Sequence, residues 1–153
     1  MTAVTEAQEA CRFCAIIHGT ESSYVVYEDA VSIVFLDHRP LFHGHSLVVP
    51  KHHYPTLLDV PASLLVPLFS TVQLIARALE QGLDAEGSFI AINTRISQSV
   101  PHFHIHVIPR RRGDGLHGFF WPRQAYPDAT TIHHIQQVLA ETVQTLTNHN
   151  NTN

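Results

Sequence analysis

Short apolar runs, punctuated by turn residues, fill the first third of the chain. "YVVYED" and "VSIVFLD" are strand-like, and Asp29 and Ala30 at their junction predict a hairpin. After a turn around Pro40 and Gly44, "HSLVVP" reads as a third strand ending at Pro50. The pattern then changes period. Leu65, Leu68, Phe69, Val72, Ile75, Ala76 and Leu79 recur at helical spacing, predicting a helix over 62–81 that ends near Gly82. Pro67 predicts a first turn that is kinked or begins later. "GSFIAIN" and "HFHIHVI" follow as two more strands, and Ile135, Val138, Leu139, Val143 and Leu146 share one face of a C-terminal helix. Upstream, "CRFCAIIHG" predicts a short helix stopped by Gly19. Strands in two groups around a central helix, joined by meander-like connections, predict an α+β domain with a mostly antiparallel sheet.

At 153 residues the chain suits one domain with a sizeable core, and its 44% apolar content is that of an ordinary globule. It divides into a flexible arm (1–10), a domain (11–115), an extension whose helix packs on the same domain (116–147) and a frayed tail (148–153). No apolar run approaches about 20 residues, so no membrane partner is expected. The first residues lack a basic segment followed by an apolar one, so no secretory signal is expected and the cytoplasm is the default location. Nine basic against thirteen acidic residues give a net charge of −4, which argues against a nucleic-acid partner held by a broad basic surface. A locally cationic pocket for phosphate stays open, with Arg110, Arg111 and Arg112 as the basic cluster.

Thirteen histidines change the picture more than the charge does. In "SQSVPHFHIHVIPRRRGDG" three of them alternate along a strand. Side chains on a strand alternate between faces, so Phe103, Ile105 and Val107 point to the core and His102, His104 and His106 point the other way. Pro101 and Pro109 bracket the run. A polar outer face is the plain alternative. Two chemical ones stand beside it. A His-x-His pair projects two imidazoles at one metal, as in a hydrolytic site that keeps a coordination position open for water. Alternatively, one imidazole is itself a nucleophile toward phosphorus, with donors around the phosphate from Gln98, Ser99 and the arginine-glycine loop. Cys11 and Cys14, the two cysteines, sit in "CRFC", the spacing of half a zinc site. No βαβ pattern follows, which weakens a thioredoxin-like redox assignment.

"HFHIHVI" resembles the His-φ-His-φ-His-φ-φ signature of the histidine triad (HIT) proteins, nucleotide hydrolases and transferases. "CRFCAIIHG", "VVYEDAVSIVFLDHRPLFHGHSLVVPKHH" and "NTRISQSVPHFHIHVIPRRRGD" follow that family's blocks in order over residues 11–115. The resemblance implies a HIT-like fold, a small-molecule nucleotide substrate and a homodimer. It implies that His104 attacks the α-phosphate of an adenosine-type nucleotide, a phosphoramidate or a dinucleoside polyphosphate, through a nucleotidyl-histidine intermediate. His106 then contacts the phosphate and helps protonate the leaving group; Gln98 lies beside the scissile bridge and Ser99 bonds the leaving group. Asp37 holds the ribose hydroxyls, Asn93 lies on the phosphate side, and Phe13, Ile17 and His38 line the base pocket. In the zinc-binding subset, Cys11 and Cys14 are joined by His53, with neighbouring His52 as substitute, and by His102, in a structural zinc site with no organic cofactor. Asp37 capping a turn, Phe13 and Ile17 as plain core, and Asn93 and Gln98 as structural loop residues are the bland alternatives. A nucleotide-binding regulatory protein with little turnover, and a metal-dependent hydrolase, are the alternative functions.

Two departures bear on substrate preference. Many relatives carry glycines where this chain has "NTRISQ", and Arg95 adds a charge there. "GLHGFFWPRQAYPD", with Phe120 and Trp121, has no counterpart in the simplest members; the two aromatics are expected in a packed cluster, over the pocket or against a neighbouring subunit.

Overall fold

The structure is a computed structural model that describes residues 10–116 and 124–150. The expected N-terminal arm up to residue 9, Phe120 and Trp121, and residues 151–153 lie outside the described residues. The chain forms two compact units, Met1–Asp114 and Gly115–Asn153.

The first unit contains α1 (Arg12–Ile17), β1 (Val25–Glu28), β2 (Ser32–Leu36), β3 (Ser46–Pro50), a 3-10 turn (Leu57–Asp59), α2 (Ala62–Leu83), β4 (Gly87–Ala91) and β5 (Ile105–Arg110). The five strands form one antiparallel sheet in the order β1-β2-β3-β5-β4. An α+β class with an antiparallel sheet is therefore observed. The β1–β2 hairpin forms because Asp29 accepts from the backbone N–H groups of Val31 and Ser32 at 2.8 and 2.7 Å, an Asx turn.

β2 and β3 are apolar at nearly every position because both faces of the sheet are covered. Val34 and Val48 face Leu68, Val72, Ile75 and Leu79 of α2, together with Phe103, Ile105 and Val107. Ile33, Phe35, Leu47 and Val49 face the opposite way, onto Phe13 and Ile16 of α1 and both cysteines. α2 spans 22 residues and runs through Pro67 from Ala62. It ends at Asp84, which takes the left-handed conformation (φ 53°), rather than at Gly82, which stays helical. By length and composition α2 is apolar enough to cross a membrane, contrary to the sequence expectation, but its Leu68–Leu79 face is packed on the sheet.

The histidine run differs from a simple strand at both ends. β5 starts at Ile105, since the N–H of Phe103 donates to Tyr54 O at 2.6 Å instead of joining the ladder. It continues through Pro109 to Arg110, paired with β4. β3 pairs with β5 only over Ile105–Val107, so Pro109 lies where β5 has one neighbour and its missing N–H costs little.

The second unit holds α3 (Ala129–Asn150). Asp128 caps its start, accepting from the Thr131 N–H and hydroxyl at 2.7 and 2.8 Å. The helix continues into the segment expected to fray.

Candidate functional site

The sheet face beneath α1 carries two adjoining clusters. In the first, the sulfur atoms of Cys11 and Cys14 lie 3.5 and 3.6 Å from His102 Nδ1, and Cys14 Sγ lies 3.3 Å from His53 Nδ1. The four ligand atoms are all within 4.8 Å of one another. A tetrahedral ion with Zn–S of about 2.3 Å and Zn–N of about 2.05 Å separates sulfur from nitrogen ligands by roughly 3.6 Å, so the side chains stand at coordinating distances. His102 Nε2 donates to Pro50 O at 2.8 Å, which places its proton there and leaves Nδ1 as a lone pair aimed at the sulfurs. Burial holds the His102 imidazole down to about 4, against the Pro50 carbonyl, which favours the charged form. Burial and the neighbouring Cys11 push the Cys14 thiol up to about 12. Two buried, unlinked thiols facing two neutral imidazoles fit a zinc ion, whose charge would favour the thiolates. His53 is the fourth member of this group; His52 is outside it, its ring 4.7 Å from that of Tyr54.

The second cluster surrounds a cavity. A cavity of about 390 Å³ is lined by His104, His106, Ser99, Asp37, His38 and Phe13 among the predicted residues. His104 is 3% exposed, and its Nδ1 donates to His102 O at 2.7 Å. The proton is therefore on Nδ1, and Nε2 is the unprotonated, nucleophilic nitrogen. Burial lowers the His104 pKa, opposed by the His102 carbonyl and by Asp37. The ring of Phe13 meets His104 edge-on at 5.1 Å.

His45 was not among the predicted residues. It is 4% exposed, and its Nδ1 accepts the Leu41 N–H at 3.2 Å. Its own proton then belongs on Nε2, which donates to His106 Nδ1 at 2.9 Å. That bond fixes His106 as the tautomer with its proton on Nε2. His106 Nε2 is buried and has no hydrogen-bond partner among the described residues, so its donor is left unsatisfied. Burial, then the neighbouring His104 and His45, depress the His106 pKa to about 4. The available signal for His45 was positional: it immediately precedes β3, whose Leu47 is in register with His106.

Asp37 closes a turn and also lines the cavity. Its Oδ1 accepts the Arg39 N–H at 2.8 Å, closing a turn, while Oδ2 lies 3.7 Å from His45 Nε2. Ile16, one residue before the predicted Ile17, lines the cavity with Phe35, Leu36 and Leu47. Ile17 packs against the cluster around Phe13 instead. Asn93 and Gln98 are outside the lining. Gln98 closes its own loop: Oε1 accepts the Arg95 N–H at 2.8 Å and Nε2 donates to Pro55 O at 2.7 Å. That loop lacks glycine yet places Arg95 (φ 66°) and Ser97 (φ 61°) in the left-handed region, and the two Gln98 bonds help hold it there.

Comparison with known proteins adds a family context. Residues 18–113 match the model of the HIT domain. The chain is 40% identical over 111 residues to the adenylylsulfatase HINT3 of Arabidopsis thaliana, covering 71% of this chain but only 56% of the plant protein. It is 36% identical over 94 residues to the asymmetrical bis(5'-nucleosyl)-tetraphosphatase of Schizosaccharomyces pombe, covering 60% of this chain and 52% of that protein. Among solved structures, a zinc-bound histidine triad family protein from Mycobacterium smegmatis superposes with a TM-score of 0.68 at 35% identity, covering 91% of this chain and 99% of the other.

Proposed function

The chain belongs to the HIT domain family, and from that premise we propose that it hydrolyses or transfers nucleotides at the α-phosphorus, with His104 as covalent nucleophile. The observation that carries this is the His104 tautomer. Nδ1 is tied to the His102 carbonyl, which leaves a lone pair on Nε2 of a side chain that lines the cavity.

In the proposed reaction Nε2 of His104 attacks phosphorus, an N–P bond forms and the bond to the leaving group breaks. His106, held by His45 with a proton on Nε2, donates to the phosphate and toward the departing atom. Ser99 supplies a further hydroxyl at the cavity wall. Water then cleaves the phosphoramidate, releasing a nucleoside monophosphate and restoring His104. The free oxygen of Asp37 suits the ribose hydroxyls, and Phe13 with Ile16 suits the flat faces of a base. Gln98 takes a place beside the scissile bridge only by giving up one of its two loop bonds.

Cys11, Cys14, His53 and His102 would hold a structural zinc beside this chemistry. Bound there, the ion would tie α1, which supplies Phe13, to the segment carrying His104. The ion takes no part in the phosphoryl step. Adenosine derivatives are the first substrates to test, because the two enzymatic relatives are named for an adenylylsulfate and a dinucleoside tetraphosphate. A product-resolved panel of adenosine phosphoramidate, adenylylsulfate and dinucleoside polyphosphates should yield nucleoside monophosphate without an added divalent ion. Tight monophosphate binding with negligible turnover across the panel would make the protein a binder instead.

A further inference from the structure

One wall of the cavity is built from residues that the phosphorus chemistry leaves unused. Arg12, the first residue of α1, lines it beside Phe13, with its side chain 45% exposed. Its guanidinium is held at two points: Nε donates to Glu21 Oε1 at 2.5 Å, and Nη1 is 3.4 Å from His38 Nε2. A guanidinium carries donors and no acceptor, so His38 Nε2 accepts and the His38 proton belongs on Nδ1. That Nδ1 lies 3.7 Å from Asp37 Oδ1. Arg12, His38 and Asp37 thus form a polar file along the wall, beside an apolar floor of Phe13, Ile16 and Phe35. Nη2 of Arg12 has no partner among the described residues.

We propose that Arg12 is a specificity-determining residue that reads the edge of the base; this rests on the nucleotide assignment made above. The apolar floor takes the ring faces of any purine. Arg12 adds a fork made of Nη2 and the Nη1 hydrogen not given to His38, and no acceptor. Such a fork matches the O6 and N7 acceptors of guanine or hypoxanthine, whereas adenine offers an N6 amino donor at the corresponding place. Glu21 offsets part of the positive charge, so the group acts on the base through its donors more than as a phosphate-seeking cation. The polar file also links the base to the ribose carboxylate, so both ends of the nucleoside are held by one connected wall.

The test is equilibrium titration of the full chain with GMP, IMP and AMP, in wild type, Arg12→Met and Arg12→Lys. The expected result is that GMP and IMP bind roughly five-fold or more tighter than AMP. Arg12→Met should bring the ratio close to one. Arg12→Lys, which keeps the charge without the paired donors, should lose most of it. Equal affinities in the wild type, or a preference that survives in Arg12→Met, overturn the proposal. So does an equal loss for all three ligands, which would mean that Arg12 grips phosphate. The base ratio is read apart from turnover. A chain showing the ratio with no phosphoramidate hydrolysis keeps this inference and loses the nucleophile assignment; one that hydrolyses without base preference does the reverse.

Discussion

His102 and His104 stand two residues apart on one face of the same segment, and both are buried. They differ in what the second ring nitrogen meets. His102 gives Nε2 to the Pro50 carbonyl and turns Nδ1 to two sulfurs. His104 gives Nδ1 to a carbonyl, and its side chain lines a cavity. In both, burial keeps the imidazole neutral and a backbone oxygen chooses the tautomer. The lone pair left over faces the cysteine sulfurs in one case and, in the function proposed above, attacks phosphorus in the other. Burial alone does not separate a structural histidine from a catalytic one; the partner of the remaining nitrogen does.

The strongest way to break this division is His104→Ala. Turnover should fall by roughly 10⁴-fold or more, with zinc content and monophosphate affinity largely kept. Near-normal hydrolysis in that variant removes His104 from the chemistry. Cys11→Ser strikes the other cluster: zinc measured on protein purified without chelator should drop from about one per chain, with a loss of stability on the order of several kcal/mol by thermal melting. Wild-type protein that carries no zinc would dissolve the comparison from the structural side.

His45→Ala should lower kcat on the order of 10²-fold with a smaller change in KM, since it removes the group that sets the His106 tautomer without touching phosphorus. Nitrogen-15 shifts of His106 should report an Nε2-protonated ring in the wild type and a tautomer mixture in the variant. An unchanged His106 spectrum would reduce His45 to core packing. The smallest effect is on pH dependence. Burial lowers the His104 pKa, so its nucleophilic form persists to more acid pH than that of a free imidazole. The acid limb of kcat/KM should therefore inflect below about 6.5. An inflection at or above that value contradicts the depressed pKa.

Local period made much of this legible in the sequence. Phe103, Ile105 and Val107 reach the core while the histidines turn away, because period-two alternation is a property of neighbouring residues. The Cys-x2-Cys spacing likewise pointed to half of a metal cluster. What stayed hidden depends on pairing across long separations. His45 meets His106 across 61 residues, and only the β3–β5 register brings them together. Pro109 continues β5 because its neighbour on one side has already ended. Gln98 illustrates another limit: its residue type suits a phosphate site, yet its amide closes the loop it belongs to. Ile16 and Ile17 sit on adjacent helix positions, and only the packing angle of α1 decides which one faces the cavity.

In the proposed reaction His104, and no other histidine of the triad, becomes covalently bonded to the nucleotide. Rapid acid-free quench during turnover, followed by peptide mass spectrometry, tests it directly. A nucleoside monophosphate adduct is expected on the peptide spanning 102–106, with fragmentation assigning it to His104, and is expected to be absent in His104→Ala. An adduct on His102 or His106, or product formed at full rate with no adduct on any histidine, would contradict it.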